Sequence, residues 1–101
     1  MIVRVWHARA SLVDPSGYPR HFIDHVLPDL ERIEGFAGAT LLRQTRAHDI
    51  EYVVETRWTS TDAIRAFAGA NIDRAVVAPD AQALLIDYDQ RVAHYEIVHE
   101  A

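Results

Sequence analysis

Six histidines and ten basic residues, every one of the ten an arginine, carry most of the chemistry this chain could do. With no cysteine there can be no disulfide, thiolate metal site or cysteine nucleophile, and with no lysine there is neither Schiff-base nor P-loop chemistry. His21 and His25 stand four residues apart, the spacing at which one helix face can offer two imidazoles to a metal. No glutamate follows His21, and a uniform turn of about 100° per residue sets both away from the centre of the apolar stripe, so they read as solvated histidines with no metal site. Trp58 and Phe67 flank a junction where a strand hands over to a short helix, so the helix is expected to pack back onto its sheet, and a cleft between helices and sheet is where a small ligand would sit. Simple core packing is the competing reading for both rings. His7 and His94 fall in strand patterns near the two ends of the chain.

These residues need a scaffold, and 101 residues that are 50% hydrophobic suffice for one domain over 1–101 and not for two. The net charge of -5 argues against non-specific nucleic-acid binding, which needs a positive surface. No apolar run is long enough to span a bilayer, and Arg4 and His7 interrupt the N-terminus where a signal peptide would be apolar, so a cytoplasmic protein is expected.

Ile2 to Ala10 alternates as a first strand, with Val3, Val5, His7 and Arg9 on one side and Ile2, Arg4, Trp6 and Ala8 on the other. The valine side is expected to face the helices. After the turn cluster Asp14-Pro15-Ser16-Gly17, apolar residues from Phe22 to Ile33 recur at helical spacing until Gly35, with Pro28 predicting a kink or restart near Leu27. Gly35 to Ala47 reads as a second strand bent at Gly38, and His48-Asp49 turns into a third, Glu51 to Trp58. On that strand Tyr52, Val54, Thr56 and Trp58 share one side, while the charged side reads as a solvated surface or, if it meets another subunit, as one where cross-strand Arg–carboxylate pairs involving Arg43, Glu55 and Arg57 fix the register. Ser60 caps a helix ending at Gly69; Ile72, Ala75 and Val76 suggest a further helical turn or two, and Pro79 restarts a helix carrying Leu84 and Leu85. Tyr88 to His99 alternates as the last strand.

The order is α+β, ferredoxin-like βαββαβ: a four-stranded antiparallel sheet with both helices on one face and strand one beside strands three and four. The other sheet face is left uncovered. A second copy of the chain is the economical cover.

Several segments in this order and spacing, Ile2 to Arg9, Pro28 to Gly38 with Leu41-Leu42-Arg43, Trp58-Thr59-Ser60 with Ala66-Phe67-Ala68-Gly69, Ala75 to Pro79, and His94-Tyr95-Glu96, resemble the antibiotic biosynthesis monooxygenase (ABM) group of dimeric α+β barrel proteins. The resemblance implies a homodimer paired through its sheet faces, and a cofactor-independent monooxygenase joining molecular oxygen to a small quinol- or anthrone-like aromatic, with no metal. The group also contains heme-degrading enzymes. Carried over by position, their pocket asparagine, tryptophan and proximal histidine fall at His7, Phe67 and Val77, and a valine cannot ligate iron, which ranks heme chemistry second unless His7, His21 or His94 supplies the ligand.

A cofactor-free oxygenase needs a base, donors for the resulting anion, and an apolar pocket that admits oxygen. His7 is the first candidate base, on the expectation that it faces the helices in the space bounded by Trp58 and Phe67; His94 is the second. Tyr52 and Tyr95 could donate to an oxyanion, and Arg9 could stabilise the substrate anion. A non-catalytic module holding a small aromatic is the alternative. RNA binding is the weakest reading, since Glu51 to Trp58 lacks the aromatic pattern with basic flanks that stacks bases.

Overall fold

The computed structural model describes the whole chain, Met1 to Ala101. Its elements run β1 (Ile2–Ala10), α1 (Gly17–His21), a π-helical segment (Phe22–Val26), α2 (Leu27–Glu31), β2 (Phe36–Thr45), β3 (Ile50–Trp58), α3 (Thr61–Ala68), α4 (Pro79–Gln82), β4 (Asp87–Tyr88) and β5 (Ala93–Glu96). The antiparallel sheet is ordered β2-β3-β1-β4, with β5 also on the free edge of β1, so β1 lies at the centre as the expected topology requires. The expected last strand is thus two short strands, β4 opposite Ala8 and Arg9 and β5 opposite Ile2 to Val5. Between them, Ala75 N–H donates to Gln90 O and Val92 N–H to Asp73 O, an arrangement that pulls the chain off β1. After a single turn closed by Arg74 N–H on Asn71 O, the Arg74↔Arg91 bridge and these bonds hold the chain off the helical path where a further helical turn or two was expected.

Strand register decides which side chains face inward. β1 and β3 pair from Ile2↔Trp58 to Ala10↔Ile50, which aligns Arg4 with Thr56 and Trp6 with Val54. Every second residue of β3, from Ile50 to Trp58, is buried, and Arg4, Ala8 and Ala10 are buried on β1 in the same row. The even-numbered side of β1 therefore faces the helices and the valine side is the outer one, the reverse of the expectation. Arg43 stands opposite Tyr52 on the inner row and donates to Pro15 O, so it does not pair with Glu55 or Arg57. Arg57 donates instead to Thr40 Oγ1 at 3.1 Å.

Two packed clusters hold the helices to this face. Tyr18 and Phe22 meet Ile50, Tyr52 and Val54 at one end, and Leu30, Ala63 and Ile64 surround Trp58 at the other. Ser60 Oγ accepts from Ala63 N–H at 3.1 Å and starts α3, which ends at Gly69. The β2–β3 pairing shifts register between Phe36 and Gly38, where the bulge was expected. Gly35, at φ 94°, lets α2 turn into β2 under α3: a Cβ there would come 2.5 Å from that of Ala63. No helix is long and apolar enough to cross a membrane.

Candidate active site between the helical rod and the sheet

A cavity of about 260 Å³ lies between the inner sheet face and the rod formed by α1, the π segment and α2. Arg4, Trp6, Val54 and Thr56 form its floor, the rod supplies one wall, and Phe67 with Val76 and Val77 close the far side. Most of the lining is apolar. The volume falls just under the roughly 300–1,000 Å³ of drug-sized sites and suits a compact fused-ring aromatic.

The rod's geometry buries His21 in this wall, contrary to its expected solvation, while His25, at the edge of the cavity, stays exposed as expected. Pro28 has no N–H, and its ring would crowd the carbonyl four residues back, Asp24 O, in a regular α-helix. The turn before it widens instead: Leu27 N–H bonds to Phe22 O, five residues away, without a break in the rod. A widened turn rotates the preceding residues relative to the following ones, so the buried stripe becomes Tyr18, His21, Phe22, Val26 and Leu30, and Ile23 turns out to solvent at 59% exposure. His21 is 8% exposed, and its Nε2 is buried with no hydrogen-bond partner. Its ring lies 5.3 Å from that of His25 and 6.1 Å from that of Tyr18. Burial, with a smaller contribution from Tyr52, raises the Tyr18 phenol above its ordinary range and keeps it neutral.

On the floor, Arg4 is 4% exposed. Nη1 donates to Ile72 O and Nη2 to Arg74 O, and Nη1 also lies 3.0 Å from His94 Nε2. The guanidinium sits over the Phe67 ring, 5.6 Å from its centre. Burial lowers its pKa to about 10, against a smaller opposing pull from Asp73. At neutral pH it remains a buried cation. No group of three or more His, Cys, Asp or Glu residues is arranged to hold a metal ion.

Of the residues singled out in the sequence, Phe67 lines the cavity, and His94 stands behind Arg4 on the inner row. The others are elsewhere. His7 is opposite Val53 on the outer sheet face, with Nδ1 3.8 Å from Glu51 Oε2. Arg9, on the same outer face, is bound to Asp87 and, at 2.9 Å, to Asp89. Tyr95 pairs with Val3 on that face and is 59% exposed. Tyr52 and Trp58 face inward and are fully buried as core: the Tyr52 hydroxyl donates to Pro15 O at 3.0 Å, and Trp58 Nε1 donates to Thr56 Oγ1 at 2.8 Å. The Trp58 ring packs on Phe67 and edge-on against Phe36, so Trp58 is core beside the cavity and not part of its lining.

The residues that sequence reasoning did not place at the site are Arg4, Trp6, Tyr18 and His21, the last of them read as solvated. Two signals point to them in retrospect. Ala8 and Ala10, small residues in register with Arg4 and Trp6, fit beneath a helix, and Pro28 marks the widened turn that moves His21 inward.

No family model matches the chain. No curated protein matches it either. Solved structures do. A Bacillus cereus protein provisionally assigned as an antibiotic biosynthesis monooxygenase is 20% identical, covering 100% of this chain and 94% of its own, with a TM-score of 0.68. The heme-degrader MhuD of Mycobacterium tuberculosis, with two hemes in its active site, is 22% identical over 100% of this chain and 99% of its own, at a TM-score of 0.66. SnoaB, a cofactor-independent oxygenase from Streptomyces nogalater, is 20% identical over 98% of this chain and 95% of its own, again at 0.66. At about a fifth identity what these matches establish is architecture: the chain has the ferredoxin-like α+β fold of the ABM-domain proteins, from end to end.

Proposed function

We propose that the protein is a cofactor-independent monooxygenase whose substrate is a small quinol- or anthrone-like aromatic, bound between the rod and the sheet with His21 as general base. One observation carries the reading: His21 lines a mostly apolar cavity, and its Nε2 is buried with no hydrogen-bond partner in the protein. A buried ring nitrogen without a partner is costly unless something else fills the role, and a substrate hydroxyl or acidic C–H is what it could serve. With its proton on Nδ1, the imidazole presents Nε2 as a lone pair.

The chemistry then follows from the substrate. Proton removal to Nε2 gives an electron-rich carbanion or phenolate, and this anion reduces molecular oxygen by itself. A C–O bond forms to give a hydroperoxide. Loss of water then leaves a carbonyl, so that one oxygen atom enters the product, the other leaves as water, and the substrate supplies all the electrons. The ring would rest on Trp6, Phe67 and the valines, and their apolar surface admits oxygen and excludes water. The likeness of fold to SnoaB supports this reading.

Heme fits less well. Val77, at the position of the proximal histidine, lies on the cavity wall without a lone pair for iron, and a tetrapyrrole is larger than the compact aromatic that about 260 Å³ suits. We infer further that two copies pair through the outer sheet face. Val3, Val5 and Val53 share that face, and each is only partly buried in the single chain.

The test is oxygen consumption by metal-stripped protein with quinols, anthrones and catechols under ¹⁸O₂. The reading expects uptake with one labelled atom in the product. No uptake with any compound would replace catalysis with binding, and uptake only after heme is added would replace this reading with heme chemistry.

A further inference from the structure

The cavity contains a cation that no protein anion balances. All three groups bonded to Arg4 are uncharged: Ile72 O, Arg74 O and the His94 ring. No carboxylate lies within ion-pair distance of its guanidinium, whereas the arginine–carboxylate pairs that do form, at Arg9, Arg46 and Arg65, are on or near the surface, where pairing matters least. The carboxylate that acts on it most, Asp73, stands on the far side of His94 and is 60% exposed. Asp29 and Asp80 also line the cavity, from α2 and α4, and neither is paired to Arg4. Buried charges are ordinarily matched, because an unmatched one loses its hydration without compensation. Here no carboxylate meets the guanidinium, and Arg4 lines the cavity.

We propose that the substrate is an aromatic carboxylic acid whose carboxylate binds Arg4, while the reacting hydroxyl or C–H is presented to His21. Nε–H and one Nη2–H of Arg4 have no partner in the protein, and a planar carboxylate is the anion that a guanidinium takes through two such donors. A single cation in an apolar enclosure favours a monoanion over a phosphate dianion, and Asp29 and Asp80 oppose a second negative charge on the helical side. Phe67, beneath the guanidinium, continues the same wall as a surface for the ring. Arg4 and His21 come from opposite walls, the sheet and the rod, so the acid group and the reacting position would lie at separate points on the ring system.

The proposal rests on the cavity's being a substrate site, and its test does not depend on turnover. Anthraquinone-2-carboxylate and anthraquinone-2-carboxamide are already oxidised and cannot consume oxygen. Their binding is followed by quenching of tryptophan fluorescence, since Trp6 lines the cavity. The acid is expected to bind roughly tenfold or more tightly than the amide, the margin of charge-assisted hydrogen bonds. Arg4→Gln should bring the two to near parity, and Arg4→Lys should retain part of the preference. Equal binding of acid and amide by the native protein, an acid preference that survives Arg4→Gln, or binding of neither probe would each overturn the proposal. Acid preference without oxygen uptake by any quinol or anthrone would leave it standing and remove the oxygenase reading. Uptake that is indifferent to a carboxylate on the anthrone would do the reverse.

Discussion

Arg4 Nη1 and His94 Nε2 lie 3.0 Å apart, and only one of them can donate. A guanidinium has no acceptor, so His94 must accept on Nε2, which makes it neutral with its proton on Nδ1, facing Asp73 Oδ1 at 3.5 Å. Its pKa is lowered from the ordinary 6.5 by burial first and by the Arg4 charge second, with Asp73 opposing.

Stability should therefore fall in acid through this pair. The folded state prefers neutral His94, so below about pH 6.5 the unfolded chain takes up a proton that the folded one refuses, and stability declines as pH drops from there through the folded value. Above that window the full contribution is present. Urea unfolding at pH 7.5 and 5.5 should show a smaller loss for His94→Gln than for the native chain. An equal loss in both would mean that the pair is not formed.

Trp58 should behave as core. It is fully buried between Phe36 and Phe67, so Trp58→Ala is expected to cost about 3–5 kcal/mol, a large part of a small domain's stability. Trp58→Phe should cost less and leave oxygen uptake per folded molecule little changed. A stable Trp58→Phe protein that has lost activity would return Trp58 to the site.

The outer sheet face predicts the assembly. Light scattering should give about twice the 11.4 kDa of one chain, and Val5→Glu or Val53→Glu should shift the mass toward one chain without unfolding it. A native protein that runs at single-chain mass at tens of micromolar would rule out the proposed pairing.

The order of elements, the Gly38 bulge and the Ser60 cap were legible because each depends on residues close together in the chain. The facing of β1 was not. Alternation divides a strand into two sides without saying which is inside, and β1 has valines on one side and Trp6 on the other. Only its register with β3, Arg4 beside Thr56, settles the matter, and that register is a long-range property. One reversed strand carried His7 and Arg9 out of the expected site and brought Arg4 in. His21 was missed for a different reason: a fixed angle per residue cannot describe a rod with a π turn in its middle.

The most direct test of the account compares two histidine variants in oxygen uptake, with metal-stripped protein and an anthrone that the native chain turns over. His21→Ala should lower the rate roughly a hundredfold or more, as loss of a general base does, while His7→Ala, on the opposite sheet face, should match the native rate. A collapse in His7→Ala with His21→Ala unaffected would contradict the assignment of the cavity as the site.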